Sequence, residues 1–196
     1  MRVLIFSWRG PGHPNAGCAE IVTHEHAKGW IRAGHTVTLF TSNFKGAKSE
    51  EIVDGVNILR RGSQTLGVHL AAFKWYVFTK HPKFDLIIDQ FHGIPFFTPL
   101  YIREKKLAFI HEVTKEVWAV NPWHKPLNLI PAILGTIFEP LIFKLFYVDI
   151  PFMTVFAEGF QFADDGYPQT NEMKPILSCF GENNDVLFAC KMSCEN

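Results

Sequence analysis

The chain has 196 residues, of which 47% are hydrophobic, and this length and composition match one globular domain with a sizeable core. Nineteen basic residues balance nineteen acidic ones, so we expect no nucleic-acid partner, which would need a broad positive surface. After Met1-Arg2 the apolar run is too short for a secretory signal, which predicts a cytoplasmic protein.

Short apolar runs alternate with helical patterns along the chain. We predict strands over residues 2–7, 36–41, 56–60, 86–89, 107–111 and 151–155, and helices over 19–33, 69–80 and 129–147. This order favours right-handed crossovers and an α/β fold with a mostly parallel sheet between helices. Ligands of such sheets bind at the carboxyl ends of the strands, here after Phe6, Thr41, Asp89 and Ile110.

The first predicted helix should direct one stripe of residues toward the sheet. Its members recur about every four positions and are Ala19, Val22, His26, Trp30 and Ala33. Gly34 is expected to cap the end of this helix. His24 and His26 are two residues apart and therefore on different faces, so they cannot form an i, i+4 zinc pair.

The loop after the first predicted strand, residues 7–20, carries glycines at positions 10, 12 and 17. Backbone N–H groups and the positive end of the following helix can hold an anion such as a phosphate. The glycines miss the G-x-G-x-x-G spacing by one residue, which disfavours a nucleotide-dependent oxidoreductase. A plain strand-to-helix connection stays open as the structural alternative.

Several separated motifs follow one another in a familiar order: "HPNAGCAE", "HEHAKGWIRAGHTVTLFTS", Asp54-Gly55-Val56, Arg60-Arg61-Gly62, "FDLIIDQFHGIPFFTPLY" and "FIHEVTKEVW". Over roughly residues 1–155 they resemble the N-terminal, acceptor-side domain of the retaining family-four glycosyltransferases, which have the GT-B fold. The resemblance implies a Rossmann-like three-layer domain, the N-terminal half of a GT-B architecture. The sequence departs from the family's G-G-A-E loop at Cys18, which replaces the second glycine.

The resemblance implies transfer of a sugar from a nucleotide-sugar donor to a saccharide or lipid-linked acceptor. It implies no metal and no cofactor, because the nucleotide-sugar is a substrate. The donor diphosphate is expected to face a loop formed by Gly12, Gly17, Cys18 and Glu20. For Glu20, a carboxylate that merely favours the helix dipole is the structural alternative. If the position of Cys18 required a positive φ, cysteine would cost about 1 kcal/mol there.

His111 is the candidate catalytic residue, because it follows an apolar strand and an active-site histidine occupies this place in the resembled family. A surface or capping histidine is the alternative, and Glu112 beside it is a weaker candidate. The acceptor is expected to face His92, Gly93 and Trp118. Asp89, at a strand end, is expected to be a structural hydrogen-bonding residue.

From residue 156 the alternation of strands and helices stops. We expect a domain over residues 1–155 and an atypical tail over 156–196, either frameshifted and poorly ordered or a divergent folded extension. The paired glutamates with which the family holds the nucleotide have no counterpart in this tail. We therefore expect a truncated chain that lacks the donor-binding domain and is inactive alone. A non-catalytic module that binds an acceptor or a partner is the alternative.

Residues 127–155 are rich in apolar side chains, but Glu139, Lys144 and Pro140 interrupt them, so no transmembrane helix is predicted. Packing against the sheet and peripheral contact with the inner face of a membrane both stay open. Pro140 predicts a kink or break in this helix. The four cysteines, 18, 179, 190 and 194, form no C-x-x-C pair, which favours reduced thiols over a metal site.

Overall fold

The computed structural model describes residues 1–91, 94–110, 129–154, 157–162 and 168–173. The chain divides into two compact units. The first comprises Met1–Phe91 and Pro95–Leu107, and the second comprises His92–Ile94 and Ala108–Asn196.

The first unit has a mostly parallel sheet with two connecting helices. Its elements are β1 (Arg2–Phe6), α1 (Cys18–Arg32), β2 (Thr36–Thr41), β3 (Glu50–Val53), β4 (Val56–Arg60), α2 (Leu66–Phe78), β5 (Leu86–Phe91) and a 3-10 turn (Thr98–Leu100). The strand order is β3-β4-β2-β1-β5, and every neighbouring pair is parallel except β3 and β4. This is the predicted Rossmann-like α/β fold.

The two helices cover opposite faces of this sheet. Alternate residues of a strand point to opposite faces, and Leu4 and Phe6 share one core cluster with Val68 and Ala72 of α2. Val3 and Ile5, which alternate with these two residues along β1, are buried on the other face. On that face Gln90 Nε2 of β5 donates to Thr23 Oγ1 of α1 at 2.5 Å. The predicted three-layer arrangement is therefore present in the first unit.

Most boundaries agree with the sequence patterns, and the predicted strands at 36–41 and 56–60 match β2 and β4 residue for residue. The prediction missed β3, the antiparallel edge strand. Its residues are half-buried at most, so it lacks the apolar run that marks the buried strands. Asp54 and Gly55, both with positive φ, form the turn between β3 and β4.

The predicted inward face of α1 is partly wrong. Ala33 is exposed and Ala19 and His26 are half-buried, whereas Val22 and Trp30 are buried as expected. The buried stripe also contains Glu20, Thr23 and Ala27. Polar residues can pack inward here because neighbouring groups form hydrogen bonds with them. A prediction that assigns only apolar residues to the buried face cannot include them. Gly34 follows α1 with a φ of 83°, as its predicted capping role requires.

The second unit includes most of β6 (Lys106–Ile110), α3 (Leu129–Phe146), β7 (Phe152–Thr154), β8 (Ala157–Phe162) and β9 (Pro168–Met173). β6 and β7 pair in parallel, and β8 and β9 pair antiparallel. The prediction for Pro140 was a kink or a break; α3 continues through this residue, so the helix does not break there, and a kink stays a prediction. Within the described ranges, no helix combines the length and apolar character that a membrane crossing needs.

Candidate active site

The carboxyl ends of the parallel strands meet at one edge of the first unit's sheet. Phe6 is in register with Phe40 and with Asp89, and Thr41 is in register with Arg60. The loops after β1, β2 and β5 therefore begin at one rim, as predicted. The loop after Ile110 begins at position 111, outside the described residues.

The loop after β1 is tightly packed against the end of β2. The Ser7 N–H donates to the Phe40 carbonyl at 3.0 Å, and the His13 N–H donates to the Gly10 carbonyl at 3.2 Å. A Cβ on Gly10 would lie 2.8 Å from Cγ2 of Thr41, closer than two carbons can approach. Gly12 has a φ of 78°, a conformation that favours glycine. The local fold thus favours glycine at positions 10 and 12.

Glu20 fixes the start of α1. Its carboxylate is buried, and Oε2 accepts the N–H of Gly17, the N-cap residue, at 2.5 Å. Oε1 accepts from Arg9 Nε at 2.9 Å. The Glu20 carboxylate thus caps the helix and compensates the charge of Arg9, and its role toward a donor stays a prediction.

Cys18 is the first residue of α1, so its backbone is helical. The positive φ considered for this position is absent, and cysteine carries no left-handed strain there. Gly17 has an extended backbone, with φ of −130° and ψ of −159°. The N–H groups of a first helical turn have no acceptor within the helix, and those of Cys18 and Ala19 belong to this turn.

Arg60, which was not predicted as a site residue, holds the loop from β4. Its guanidinium is 2% exposed, and Nη2 donates to the Pro11 carbonyl at 2.9 Å. Nη1 donates to the Lys48 carbonyl at 3.2 Å and pairs with Glu51 at 2.6 Å. In the sequence, only the motif Arg60-Arg61-Gly62 pointed to Arg60. The contact between Arg60 and Pro11 joins residues that are 49 positions apart.

His13 is a second residue that the sequence did not single out. Its ring is buried, and Nδ1 accepts the N–H of Asn15 at 3.1 Å. Burial, together with the positive charges of Arg9 and Arg60, holds the pKa of His13 below its usual 6.5 despite the opposing effect of Glu20. His13 is therefore a neutral imidazole near pH 7 and fixes the loop as a hydrogen-bond acceptor.

A groove of about 230 Å³ lies beside this loop and the first turns of α1. Its lining residues are Pro11, Gly12, Ala16, Glu20, Ile21, His24 and Glu25. A larger groove, about 610 Å³, is lined by Met1, Phe84, Asp85 and Lys105, at the amino ends of the strands. Because parallel sheets bind ligands at the carboxyl ends of their strands, the smaller groove is the better candidate.

Asp89 has the structural role expected for it. It is fully buried, and its carboxylate accepts from the N–H groups of Phe96 and Thr98 at 2.9 and 3.1 Å and from the Thr98 hydroxyl at 2.7 Å. These bonds shape the turn after β5. At the end of β2, the hydroxyls of Thr41 and Ser42 are buried without a hydrogen-bond partner in the part of the chain that is described.

The predicted catalytic and acceptor-side residues, His111, His92, Gly93 and Trp118, lie outside the described residues, as does Glu112. Their roles stay predictions. Of the donor-loop residues, the structure brings Gly12, Gly17, Cys18 and Glu20 together at the start of α1. Among the described side chains there is no cluster of three or more potential metal ligands.

No protein-family model matches the chain, and no curated protein matches it. Among solved structures it is similar to the sucrose-phosphate synthase from Thermosynechococcus elongatus, with a TM-score of 0.47 and 13% sequence identity. The match covers 81% of this chain and 48% of that chain, so this chain spans about half the length of the synthase. At this distance the likeness concerns the fold alone.

Proposed function

We propose that this chain is the N-terminal, acceptor-side part of a retaining GT-B-type glycosyltransferase. Its whole reaction would move a sugar from a nucleotide-sugar to a saccharide or lipid-linked acceptor. One observation carries the proposal: a glycine-bearing loop at the carboxyl edge of a parallel sheet leads directly into the N-terminus of α1. The separated sequence motifs support it independently.

In this proposal the loop stabilises the diphosphate that leaves the donor sugar. Negative charge develops on that diphosphate in the transition state, and fixed backbone N–H groups stabilise it without reorganising. Cys18 and Ala19 would supply these groups, and Gly17 would allow the phosphate to approach. Glu20 does not repel the anion at full strength, because Arg9 compensates its charge. Arg60 and His13 would act as positioning residues that hold the loop in place.

The remaining parts of the mechanism rest on the resemblance. His111 would contact the reacting sugar, and the rim around His92, Gly93 and Trp118 would receive the acceptor. A further domain would hold the nucleotide, so the chain by itself should transfer no sugar. A lipid-linked acceptor would place the protein at the cytoplasmic face of a membrane.

A titration of the isotopically labelled full chain with uridine diphosphate, followed by amide NMR, tests the donor loop. We expect shifts at Gly12, Gly17, Cys18 and Ala19 with a dissociation constant on the order of millimolar, since a few phosphate contacts must offset the entropy of association. The amides at the start of α2 serve as an internal control, because they belong to another helix N-terminus. Equal shifts there, or none in the loop, would contradict the proposal.

Two neighbouring arginines provide a matched pair of variants. Arg60→Gln removes the bond to the Pro11 carbonyl, and we expect it to weaken diphosphate binding severalfold. Arg61→Gln removes the same charge from a half-buried side chain that pairs with exposed Glu50, and we expect little change. An equal effect of both variants would indicate a general loss of positive charge rather than a loss of loop geometry.

Cys18→Gly tests the departure from the family's loop. We predict tighter diphosphate binding with glycine, as the resemblance implies, and unchanged binding with the size-matched control Cys18→Ser. His111→Ala should leave diphosphate binding at the loop unchanged, because the resemblance places it at the sugar. If the chain binds a saccharide or lipid-linked acceptor but no diphosphate, the non-catalytic binding module becomes the better description.

A further inference from the structure

α2 carries an exposed apolar stripe on the side that faces away from the core. Leu66, Leu70, Phe73 and Val77 are 66%, 55%, 37% and 44% exposed, and their spacing of four, three and four residues places them on one face. Phe78, which ends the helix, is also exposed. We name these five residues the outer stripe. The opposite face of α2 buries Val68 and Ala72 in the core, so packing of the helix does not account for the stripe.

The outer stripe is held in place by aromatic contacts. The ring of Phe73 meets those of Phe78 and Tyr101 edge-on, with centroids 6.1 and 5.2 Å apart. Leu100, next to Tyr101, is 63% exposed and enlarges the apolar surface. Contiguous exposed apolar surface of this kind marks a contact with a protein or with a membrane.

The charges around the outer stripe favour one of these partners. Along the sequence, residues 61–84 contain four basic and no acidic side chains, although the whole chain is neutral. In the fold, Lys80 lines a groove with Glu50 and Glu51, and Lys83 lines one with Asp85 and Glu104, whereas Lys74 is the one charged residue of α2 itself. Arg61 is paired with Glu50, but Lys74, Lys80 and Lys83 are exposed and have no ion pair within the described ranges. Lys74 is four residues after Leu70 and three before Val77, so it borders the stripe directly.

We propose that the outer stripe and its three lysines bind the surface of an anionic lipid bilayer. The apolar side chains would enter the interface, while the lysine stems extend along it and place their ammonium groups among lipid phosphates. A second copy of the chain is a poorer partner, because it would bring another set of lysines against the first. The proposal does not depend on sugar transfer and uses residues other than those of the donor loop.

Co-sedimentation of the full chain with lipid vesicles tests it. We expect binding to vesicles that contain phosphatidylglycerol, weaker binding to pure phosphatidylcholine, and release by salt. The double variant Leu70→Gln/Val77→Gln should lower partitioning by about tenfold or more, since each substitution removes the favourable free energy of transferring an apolar side chain out of water. Replacing Lys74, Lys80 and Lys83 by Gln should lower it by about fivefold for each lysine.

Two substitutions elsewhere serve as matched controls. Ile52→Gln removes an apolar side chain that is 71% exposed but lies on β3 next to Glu51, and Lys45→Gln removes an exposed lysine in another loop. Both should leave vesicle binding unchanged. If Ile52→Gln lowers binding as much as the stripe variant does, the proposal is overturned.

Three other results would also overturn the proposal. One is unchanged vesicle binding by both stripe and lysine variants. Another is a dimer in light scattering that the double variant dissociates, which would make a second copy the partner. The third is a large fall in the urea midpoint of the double variant without loss of vesicle binding, which would show that the stripe packs within the chain itself.

Discussion

α1 and α2 both follow strands that end at the same rim of the first unit, but they differ at their N-termini. α1 joins β1 to β2, and α2 joins β4 to β5, each after a strand end at the same rim. α1 begins beside an open groove, where the Glu20 side chain holds its N-cap. At the N-terminus of α2 the backbone of the chain itself fills the space in front of the helix, because a Cβ on Gly62 would lie 2.3 Å from the Gly67 carbonyl oxygen.

The outer faces of the two helices also differ, since that of α1 makes polar contacts and that of α2 is apolar. α1 carries polar contacts, with His24 hydrogen-bonded to Asp54 and Lys28 paired with Glu25. α2 carries the outer stripe of apolar residues. One helix thus presents its end to a ligand and a polar side to water, whereas the other has a closed end and an apolar side. Two helical connections of one sheet, a short crossover between neighbouring strands and a long one past two strands, can therefore support two kinds of contact, selected by the side chains.

The largest expected effect concerns the closed end of α2. Gly62→Ala should destabilise the protein by about 3 kcal/mol or more, because it combines left-handed strain with a clash against backbone atoms that cannot move aside. Gly34→Ala is the matched control, since Gly34 also has positive φ but no atom within 4 Å of the added Cβ. It should cost about 1 kcal/mol. Equal urea midpoints for the two variants would contradict the close packing of Gly62 against the backbone of Gly67.

The next effect concerns the open end of α1. Glu20→Ala should cost about 2 kcal/mol, because it leaves the Gly17 N–H and the Arg9 guanidinium without their buried acceptor. Glu25→Ala removes a carboxylate on the same helix that pairs with Lys28 at the surface, and should cost less than about 0.5 kcal/mol. Urea unfolding at neutral pH measures both. A cost for Glu20→Ala no larger than the control's would show that the carboxylate does not hold the helix start.

A smaller effect appears as a dependence of stability on pH. Burial lowers the pKa of His26, and burial with Arg9 and Arg60 lowers that of His13, below the value near 6.5 expected in the unfolded chain. The unfolded chain then binds protons first as the pH falls, so stability decreases from about pH 6.5 down to the lowered pKa values and then levels off. His13→Gln and His26→Gln should each flatten this slope in urea titrations.

Apolar periodicity could predict the buried framework. β2 and β4 matched their predicted bounds because both strands are buried runs whose residues face packed helices. The edge strand β3 was missed because water covers much of it and no apolar run marks it. The face of α1 was misassigned because Glu20 and Thr23 are buried through hydrogen bonds, which a pattern of apolar residues cannot reveal.

The candidate site could be predicted only where its parts are adjacent in sequence. Gly12, Gly17, Cys18 and Glu20 follow one another, so the loop was found from their order. Arg60 reaches the same loop from 49 residues away, and only the fold brings its guanidinium to Pro11. His13 accepts the N–H of Asn15, only two residues away, but its lowered pKa follows from burial and from the charges of Arg9 and Arg60, and Arg60 comes from β4.

A last pair of variants separates the two faces of α2, and its exposed member has the smallest expected effect. Val68 is fully buried and Val77 is 44% exposed, so Val→Thr makes the same chemical change in two environments of one helix. Val68→Thr buries a hydroxyl in the core and should cost about 1 to 3 kcal/mol. Val77→Thr should change the free energy of unfolding by less than about 0.5 kcal/mol, because water can solvate its hydroxyl. If urea unfolding shows equal costs, the face that carries Val77 is covered in solution, and the contrast between α1 and α2 reduces to their N-termini.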